Sequence, residues 1–135
     1  MVLGKTGRNG VIVAGIGCRK GVSVEAVMAA LDEAARQHKV NIDFIATAPL
    51  KADEPALLEA ATIRNMAFVV VAQADFEQAA SRTLTRSAVS EAHSGSPSLS
   101  EASALAALGP GSRLIAPRMV INEITVAIAT SGDQE

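Results

Sequence analysis

The stretch VIVAGIGCRKG, residues 11–21, decides the fold of this chain. Residues 11–16 are apolar, mostly β-branched and bounded by glycine, which is typical of a short buried strand. The glycine-rich segment Gly15–Gly21 follows the strand. Ser23 then offers a side-chain oxygen suited to an N-cap, and Glu25 suits the first turn of a helix. The stretch therefore predicts a strand, a tight turn and the start of a helix, with the functional surface centred on the turn.

Further apolar runs predict the rest of the sheet. Ile42–Ala46 and Phe68–Ala72 are expected to be strands, and the second, apolar throughout, is expected to be covered on both faces. Helical patterns separate these strands, which predicts right-handed crossovers and parallel pairing. Arg113–Val120 and Ile124–Ala129 are expected to pair as an antiparallel hairpin at one edge. The predicted fold is an α/β three-layer sandwich with a mostly parallel sheet of about five strands.

Two amphipathic helices are predicted between these strands. The first helix follows Ser23 and is expected to end near His38. The acidic and proline residues Asp53-Glu54-Pro55 indicate the start of the second helix. The first helix has one apolar face that we expect to pack on the sheet. The apolar positions are Val24, Val27, Met28, Leu31 and Ala35 in the first helix, and Leu57, Leu58, Ala61 and Met66 in the second.

The middle of the chain is rich in serine. Between Ser81 and Ser103 we expect a short helix at Ser87–Ala92 and a loop at His93–Pro97. A third long helix is expected to end at Leu108, before a Gly-Pro-Gly stop, with Ser98 or Ser100 as its cap.

Composition excludes several classes of function. The 135 residues fit one domain, predicted at 11–135 after a flexible arm at 1–10. A net charge of −2 and the absence of Trp and Tyr argue against nucleic-acid binding. One cysteine cannot form an internal disulfide, which suits a reducing cytoplasm. No apolar run approaches the ~18 residues that cross a membrane. We therefore expect a cytoplasmic protein that binds neither nucleic acid nor membrane.

The glycine-rich segment has the chemistry of an anion site. It joins a strand to a helix, where free backbone N–H groups and the positive end of the helix dipole attract negative charge. Gly15 and Gly17 allow a close approach to the backbone, and Arg19 and Lys20 add positive charge. The spacing matches neither the dinucleotide fingerprint nor the GxxxxGK[ST] phosphate loop. A plain tight turn with two solvated basic residues is the alternative.

Cys18 occupies a position where a helix N-terminus and neighbouring cations would favour a nucleophilic thiolate. Its base would have to be His38 or His93, and neither is placed beside it by the sequence. The alternative is a small buried turn residue. Two histidines and one cysteine without ligand spacing predict no metal site, and no cofactor is expected.

Charged residues also follow the second predicted strand. Lys51, Asp53 and Glu54 lie there, and Glu101 begins the third long helix. Ligands of open α/β sheets bind at the carboxyl edge of parallel strands, where these loops are expected. The alternative is that the acidic residues only begin helices and that Lys51 is solvated.

Taken together, these segments resemble a known family. GIGCRKG at Gly15–Gly21 with Ser23, Ala46-Thr47 and KADEP at 51–55 resemble the cobalamin-biosynthesis family of CobE and the C-terminal domain of CbiG. Ser98–Ala102 and Thr125–Ala129 match the same family's remaining signatures. The resemblance runs in order through residues 11–130. It implies a small α/β domain that serves construction of the corrin ring.

The resemblance implies a ligand but leaves the role open. The ligand would be an anionic tetrapyrrole of the precorrin type, bound by an accessory carrier or by a ring-modifying enzyme. CbiG proteins open a lactone and release acetaldehyde, and this chain lacks their N-terminal portion, so we expect binding without lactone hydrolysis. Other cobalamin-biosynthesis enzymes are candidate partners. The alternatives are a structural docking partner that completes a multidomain enzyme, or a lactone hydrolase like CbiG. The predicted binding residues are Gly15, Gly17, Cys18, Arg19, Lys20, Gly21, Lys51, Asp53, Glu54, Ser100, Glu101 and Arg118.

Overall fold

The computed structural model describes residues 11–18, 21–49, 54–84, 99–109, 111–121 and 124–131. The predicted arm at 1–10, the helix at Ser87–Ala92 and the loop at His93–Pro97 lie outside these residues. Within the described ranges the elements are β1 (Ile12–Gly17), α1 (Val24–His38), β2 (Phe44–Thr47), α2 (Pro55–Ile63), β3 (Ala67–Val70), α3 (Gln73–Ala79) with a 3₁₀ helix at Ala80–Arg82, α4 (Leu99–Leu108), β4 (Arg113–Leu114), β5 (Met119–Ile121) and β6 (Ile124–Thr130).

The six strands form one mixed sheet in the order β3-β2-β1-β6-β4, and β5 also pairs with β6. The β1–β2 and β2–β3 pairs are parallel, which confirms the predicted parallel strands. Strand β6 runs antiparallel to β1 along the full length of β1. The predicted hairpin pairs as expected, but its first arm is divided into β4 and β5. Pro117 lies in that interruption, where its missing N–H cannot contribute to a ladder.

Helices cover both faces of the sheet, as predicted for a three-layer sandwich. Because successive residues of a strand point to opposite faces, Ala14 and Ile16 belong to one core with α1 and α2. Val13 belongs to a second core, which α3 and α4 cover with Phe76 and Leu105 among others. Helix α3 was not predicted, since its inner face is short and consists mainly of Phe76 and Ala79.

The helix boundaries follow their local signals. The Ser23 hydroxyl accepts the Ala26 N–H at 3.1 Å, so Ser23 is the predicted N-cap of α1. Helix α2 begins at Pro55 as expected but ends at Ile63, before Met66. Leu58, one of the apolar residues of this helix, is 55% exposed and lies outside the core. The buried positions of α2 are Ala56, Leu57, Ala60 and Ala61.

Two further expectations are corrected by the tertiary structure. Strand β3 is the last strand at one end of the sheet, and its residues are half-buried or exposed rather than covered on both faces. Ser100 is not a helix cap, because it lies inside α4 and is fully buried. Ser98, the other candidate cap, lies outside the described residues. No helix in the described ranges has the length and apolar character needed to cross a membrane.

Candidate functional site

The carboxyl end of β1 is where the predicted site segments meet. A Cβ atom on Gly17 would lie 2.6 Å from Thr125 Oγ1 and 3.4 Å from Leu99 Cδ2. On Gly15 it would lie 2.1 Å from the Ser100 carbonyl oxygen. The close approach predicted for these two glycines is therefore made by α4 and β6 of the same chain. This packing places the first turn of α4 directly beside the glycine-rich segment.

Two threonine hydroxyls bind the last two residues of β1, which are also part of the glycine-rich segment. Thr47 Oγ1 on β2 donates to the Ile16 carbonyl at 3.0 Å, and Thr125 Oγ1 on β6 donates to the Gly17 carbonyl at 3.2 Å. The strands on the two sides of β1 thus fix its end in place. Neither threonine was predicted as a site residue, although both lie in segments that carry the family resemblance.

Glu54 joins the start of α2 to the glycine-rich segment. The Gly21 N–H lies 3.3 Å from both Glu54 carboxylate oxygens. Glu54 is the N-cap residue of α2, but its side chain makes no capping bond to that helix. Only 7% of Glu54 is exposed. The two predicted binding residues therefore bind each other, and the carboxylate occupies the position where an external anion would meet the Gly21 N–H.

Glu101 is the other acidic residue at this edge. It lies in the first turn of α4 and is fully buried. Its Oε1 accepts the Leu84 N–H and its Oε2 accepts the Arg118 N–H, each at 2.8 Å. The positive end of the helix dipole and these charge-assisted bonds offset part of the cost of burying the carboxylate. Glu101 thereby connects α4 to the segment before β5, where Arg118 lies.

The remaining predicted residues are less well defined in the structure. Cys18 directly follows β1, is half-buried and packs against the core formed with α1 and α2. His38 lies at the far end of α1, about 20 Å along a 15-residue helix, so it does not serve as a base for Cys18. Arg19, Lys20, Lys51, Asp53 and His93 lie outside the described residues.

Two hydroxyl groups of α4 stand out for their burial. Ser100 Oγ and Ser103 Oγ are buried and have no hydrogen-bond partner in the described part of the chain. Ser100 faces β1, where its carbonyl would contact a side chain at position 15. Small residues here let α4 approach the strand closely, which explains their size but leaves their hydroxyl groups unsatisfied.

A surface cavity of about 490 Å³ lies elsewhere, between α3 and the end of α4. Arg82 borders it and donates to the carbonyl oxygens of Ser112 at 2.9 Å and Gly109 at 3.2 Å. These bonds satisfy acceptors at and just beyond the carboxyl end of α4. Arg82 is thus engaged in ending that helix, at the opposite end from Glu101.

Comparison with known proteins places this geometry in a family. Residues 12–129 match the family described as "Cobalamin synthesis G C-terminus". No curated protein matches the sequence at a significant level. The chain is similar to the cobalamin biosynthesis protein chiG from Agrobacterium tumefaciens str. C58, with 54% identity over 91% of this chain and 100% of that one, and a TM-score of 0.76.

Two further crystal structures share the fold. CobE, a protein from the cobalamin (vitamin B12) biosynthetic pathway, is 32% identical over 89% of each chain, with a TM-score of 0.81. A putative cobalamin biosynthesis protein G homolog from Sulfolobus solfataricus has 23% identity and a TM-score of 0.63, over 90% of this chain and 37% of that longer one. The resemblance predicted from the motifs is confirmed. The chain belongs to the cobalamin synthesis G C-terminus family and is a CbiG- and CobE-like protein of cobalamin biosynthesis.

Proposed function

We propose that this protein binds an anionic tetrapyrrole intermediate of corrin synthesis at the carboxyl edge of β1 and β2. The observation that carries the proposal is the meeting of three helix starts at this edge. Gly17 lies against Leu99 of α4, and Gly21, just before α1, is bonded to Glu54 at the start of α2. Helix N-termini present free N–H groups and positive dipole ends to an anion. Corrin precursors carry acetate and propionate carboxylates that suit such an edge.

Positively charged side chains support the same ligand class. Arg118 is half-buried, and no acceptor for its guanidinium is found in the described ranges. Arginine binds carboxylates through paired donors, so a guanidinium one strand away from this edge suits the acidic side chains of a corrin precursor. Arg19, Lys20 and Lys51 are predicted to contribute further charge from the loops of the same edge.

Glu54 sets a condition on this binding. Its carboxylate already holds the Gly21 N–H, so a ligand carboxylate that uses this donor must replace Glu54 or bind beside it. Like charges in one site repel each other. We therefore expect the Glu54→Gln variant to bind the ligand at least as tightly as the wild type. If the Glu54 carboxylate instead contacted the ligand, the variant would bind it more weakly.

The decisive experiment is a titration followed by visible absorption. Cobyrinic acid is a corrin whose side chains end in carboxylates, and in cobyric acid nearly all of these are amides. We expect the pure protein to bind cobyrinic acid more than about tenfold more tightly, because charge-assisted bonds are stronger than neutral ones. Arg118→Ala should weaken this preference, whereas Arg113→Ala should not, because Arg113 lies opposite Thr130 at the other end of β6. Absence of binding to either corrin would refute the proposal.

We further propose that this chain acts as a carrier rather than as a lactone hydrolase. Both candidate bases already accept hydrogen bonds from the backbone. Glu101 is fully buried and accepts two N–H groups, and Glu54 is almost fully buried and accepts the Gly21 N–H. A general base has to reach the proton that it removes. Incubation with a lactone-bearing precursor should therefore release no acetaldehyde. Repeated turnover that is abolished by Glu54→Gln would make the protein an enzyme.

Exposed apolar side chains favour a second candidate, a docking partner of a larger cobalamin-biosynthesis enzyme. Leu58 and Ile63 are exposed on α2, and Val70 is exposed on the neighbouring strand β3. Exposed apolar side chains on neighbouring elements are one feature of protein interfaces. Purification from a corrin-producing host separates the two roles: a retained chromophore supports binding, and a colourless complex that Leu58→Asp dissolves supports docking.

A further inference from the structure

Glu101 connects three separate parts of the chain through one buried carboxylate. The residue itself lies in the first turn of α4. Its two oxygens accept the N–H groups of Leu84, which follows the 3₁₀ helix, and of Arg118, which precedes β5. Each donor is 17 residues away along the chain. The contact is therefore tertiary, and it fixes two loop segments against the start of α4.

The chemistry of this contact requires a carboxylate. A buried charge is costly unless it is hydrogen-bonded, and here both oxygens accept backbone donors. Glutamine would present one oxygen and one NH₂ group, so one of the two N–H groups would face another donor. An apolar residue would leave both N–H groups without their acceptor. Glu101 thus serves as a double acceptor that holds the backbone of Leu84 and Arg118.

Arg118 lies beside the edge that we propose to bind ligand, on the other side of β6 from β1. It directly precedes β5, where Met119 is opposite Val126 and Val120 is opposite Thr125. Thr125 in turn is opposite Gly17 of β1. Unlike Arg82 and Arg64, whose guanidinium groups have bonds to the chain, Arg118 is held by its backbone alone in the described ranges. Pro117 before it further limits the conformations of this segment.

We propose that Glu101 is a positioning residue, which holds the Arg118 backbone so that the guanidinium meets a carboxylate of the bound corrin precursor. The inference rests on the proposed function, and it assigns Glu101 a role through Arg118 rather than by contact with the ligand. The guanidinium pairs with the ligand carboxylate, and the Glu101 carboxylate remains inside the protein on the two N–H groups.

A double-mutant cycle tests this role with cobyrinic acid as the probe. Arg118→Ala should raise the dissociation constant about tenfold or more, the usual effect of losing a charge-assisted bond. Glu101→Gln should raise it by a similar factor, but should have little further effect in the Arg118→Ala background, because the two residues act as one unit. Glu59→Gln, on an exposed position of α2, is the matched control and should bind as the wild type does. Additive effects in the cycle would overturn the proposal.

Amide hydrogen exchange provides a readout that does not depend on ligand. The Leu84 and Arg118 amides should be protected in the wild type and should exchange faster in Glu101→Gln, while the amides of the β1–β6 ladder stay protected. Rapid exchange of both amides in the wild type would overturn the proposal even if the variant did not fold. If the wild type binds cobyrinic acid and Arg118→Ala binds equally well, positioning is refuted and the proposed function stands. If the wild type binds no corrin, both are refuted.

Discussion

Gly15→Ala should strongly destabilise the protein, because α4 occupies the space that the new methyl group needs. The added Cβ would lie 2.1 Å from the Ser100 carbonyl oxygen, 2.7 Å from the Ala104 nitrogen and 2.9 Å from the Ala104 Cβ. Two of these atoms belong to the helix backbone, so no side-chain rotation relieves the contact. The helix would have to move by about 1 Å from the strand to restore ordinary contact distances.

The expected loss is about 3 kcal/mol of unfolding free energy, the upper end of the range for overpacked cores. For a domain of this size, that corresponds to a fall in Tm of about 10–15 °C. Urea denaturation followed by far-UV circular dichroism measures the free energy, and a thermal scan measures Tm. An unchanged slope of the urea transition would show that the native and unfolded states keep their compactness.

Two other glycines supply graded controls for this prediction. At Gly17 the nearest atom is the Thr125 hydroxyl oxygen, at 2.6 Å, which belongs to a side chain that is able to rotate, so Gly17→Ala should cost only about 1 kcal/mol. Gly111 has no atom within 4 Å of the added Cβ, so Gly111→Ala should change stability by no more than about 0.5 kcal/mol. A Gly15→Ala variant as stable as Gly111→Ala would refute the packing described for α4.

Three further outcomes are expected. Leu57→Ala should cost about 2–5 kcal/mol in urea denaturation, whereas Leu58→Ala should cost less than about 0.5 kcal/mol; equal losses would contradict the orientation of α2. Ser23→Ala should lower stability by about 1 kcal/mol through loss of the α1 cap, while Ser23→Asp should retain most of it; an unchanged alanine variant would contradict the capping bond. Arg19→Ala should weaken cobyrinic acid binding by about 1.5–3 kcal/mol in calorimetry, and unchanged affinity would show that Arg19 is only solvated.

Local signals in the sequence predicted the elements that depend on neighbouring residues. Ser23 as the N-cap and the apolar run of β1 are properties of a few adjacent positions, and the structure confirms both. Leu58 shows where this reasoning ends. Its apolar character does not indicate which side of α2 is buried, because that depends on how the helix lies against α1 and the sheet.

The sequence proposed the members of the candidate site, and the structure adds contacts among them that the sequence did not predict. The motifs indicated that the glycine-rich segment, Glu54 and Glu101 belong to one family-like edge. They did not show that Glu54 binds Gly21, or that Glu101 receives two backbone N–H groups. A carboxylate in the first turn of a helix has the same local signature whether it faces solvent, ligand or another loop. Its partners depend on segments far away along the chain.

The sequence by itself determined the α/β class, the parallel strands, the starts of α1 and α2 and the family, because these follow from periodicity, capping and ordered motifs. Only the tertiary structure decided that β6 lies beside β1, and that α4 packs so closely that Gly15 and Gly17 serve the protein's own packing. The order of the strands and the distance between α4 and β1 are set by contacts between residues about a hundred positions apart. Such contacts leave no local pattern, since each partner's sequence is compatible with several neighbours until the whole core is assembled.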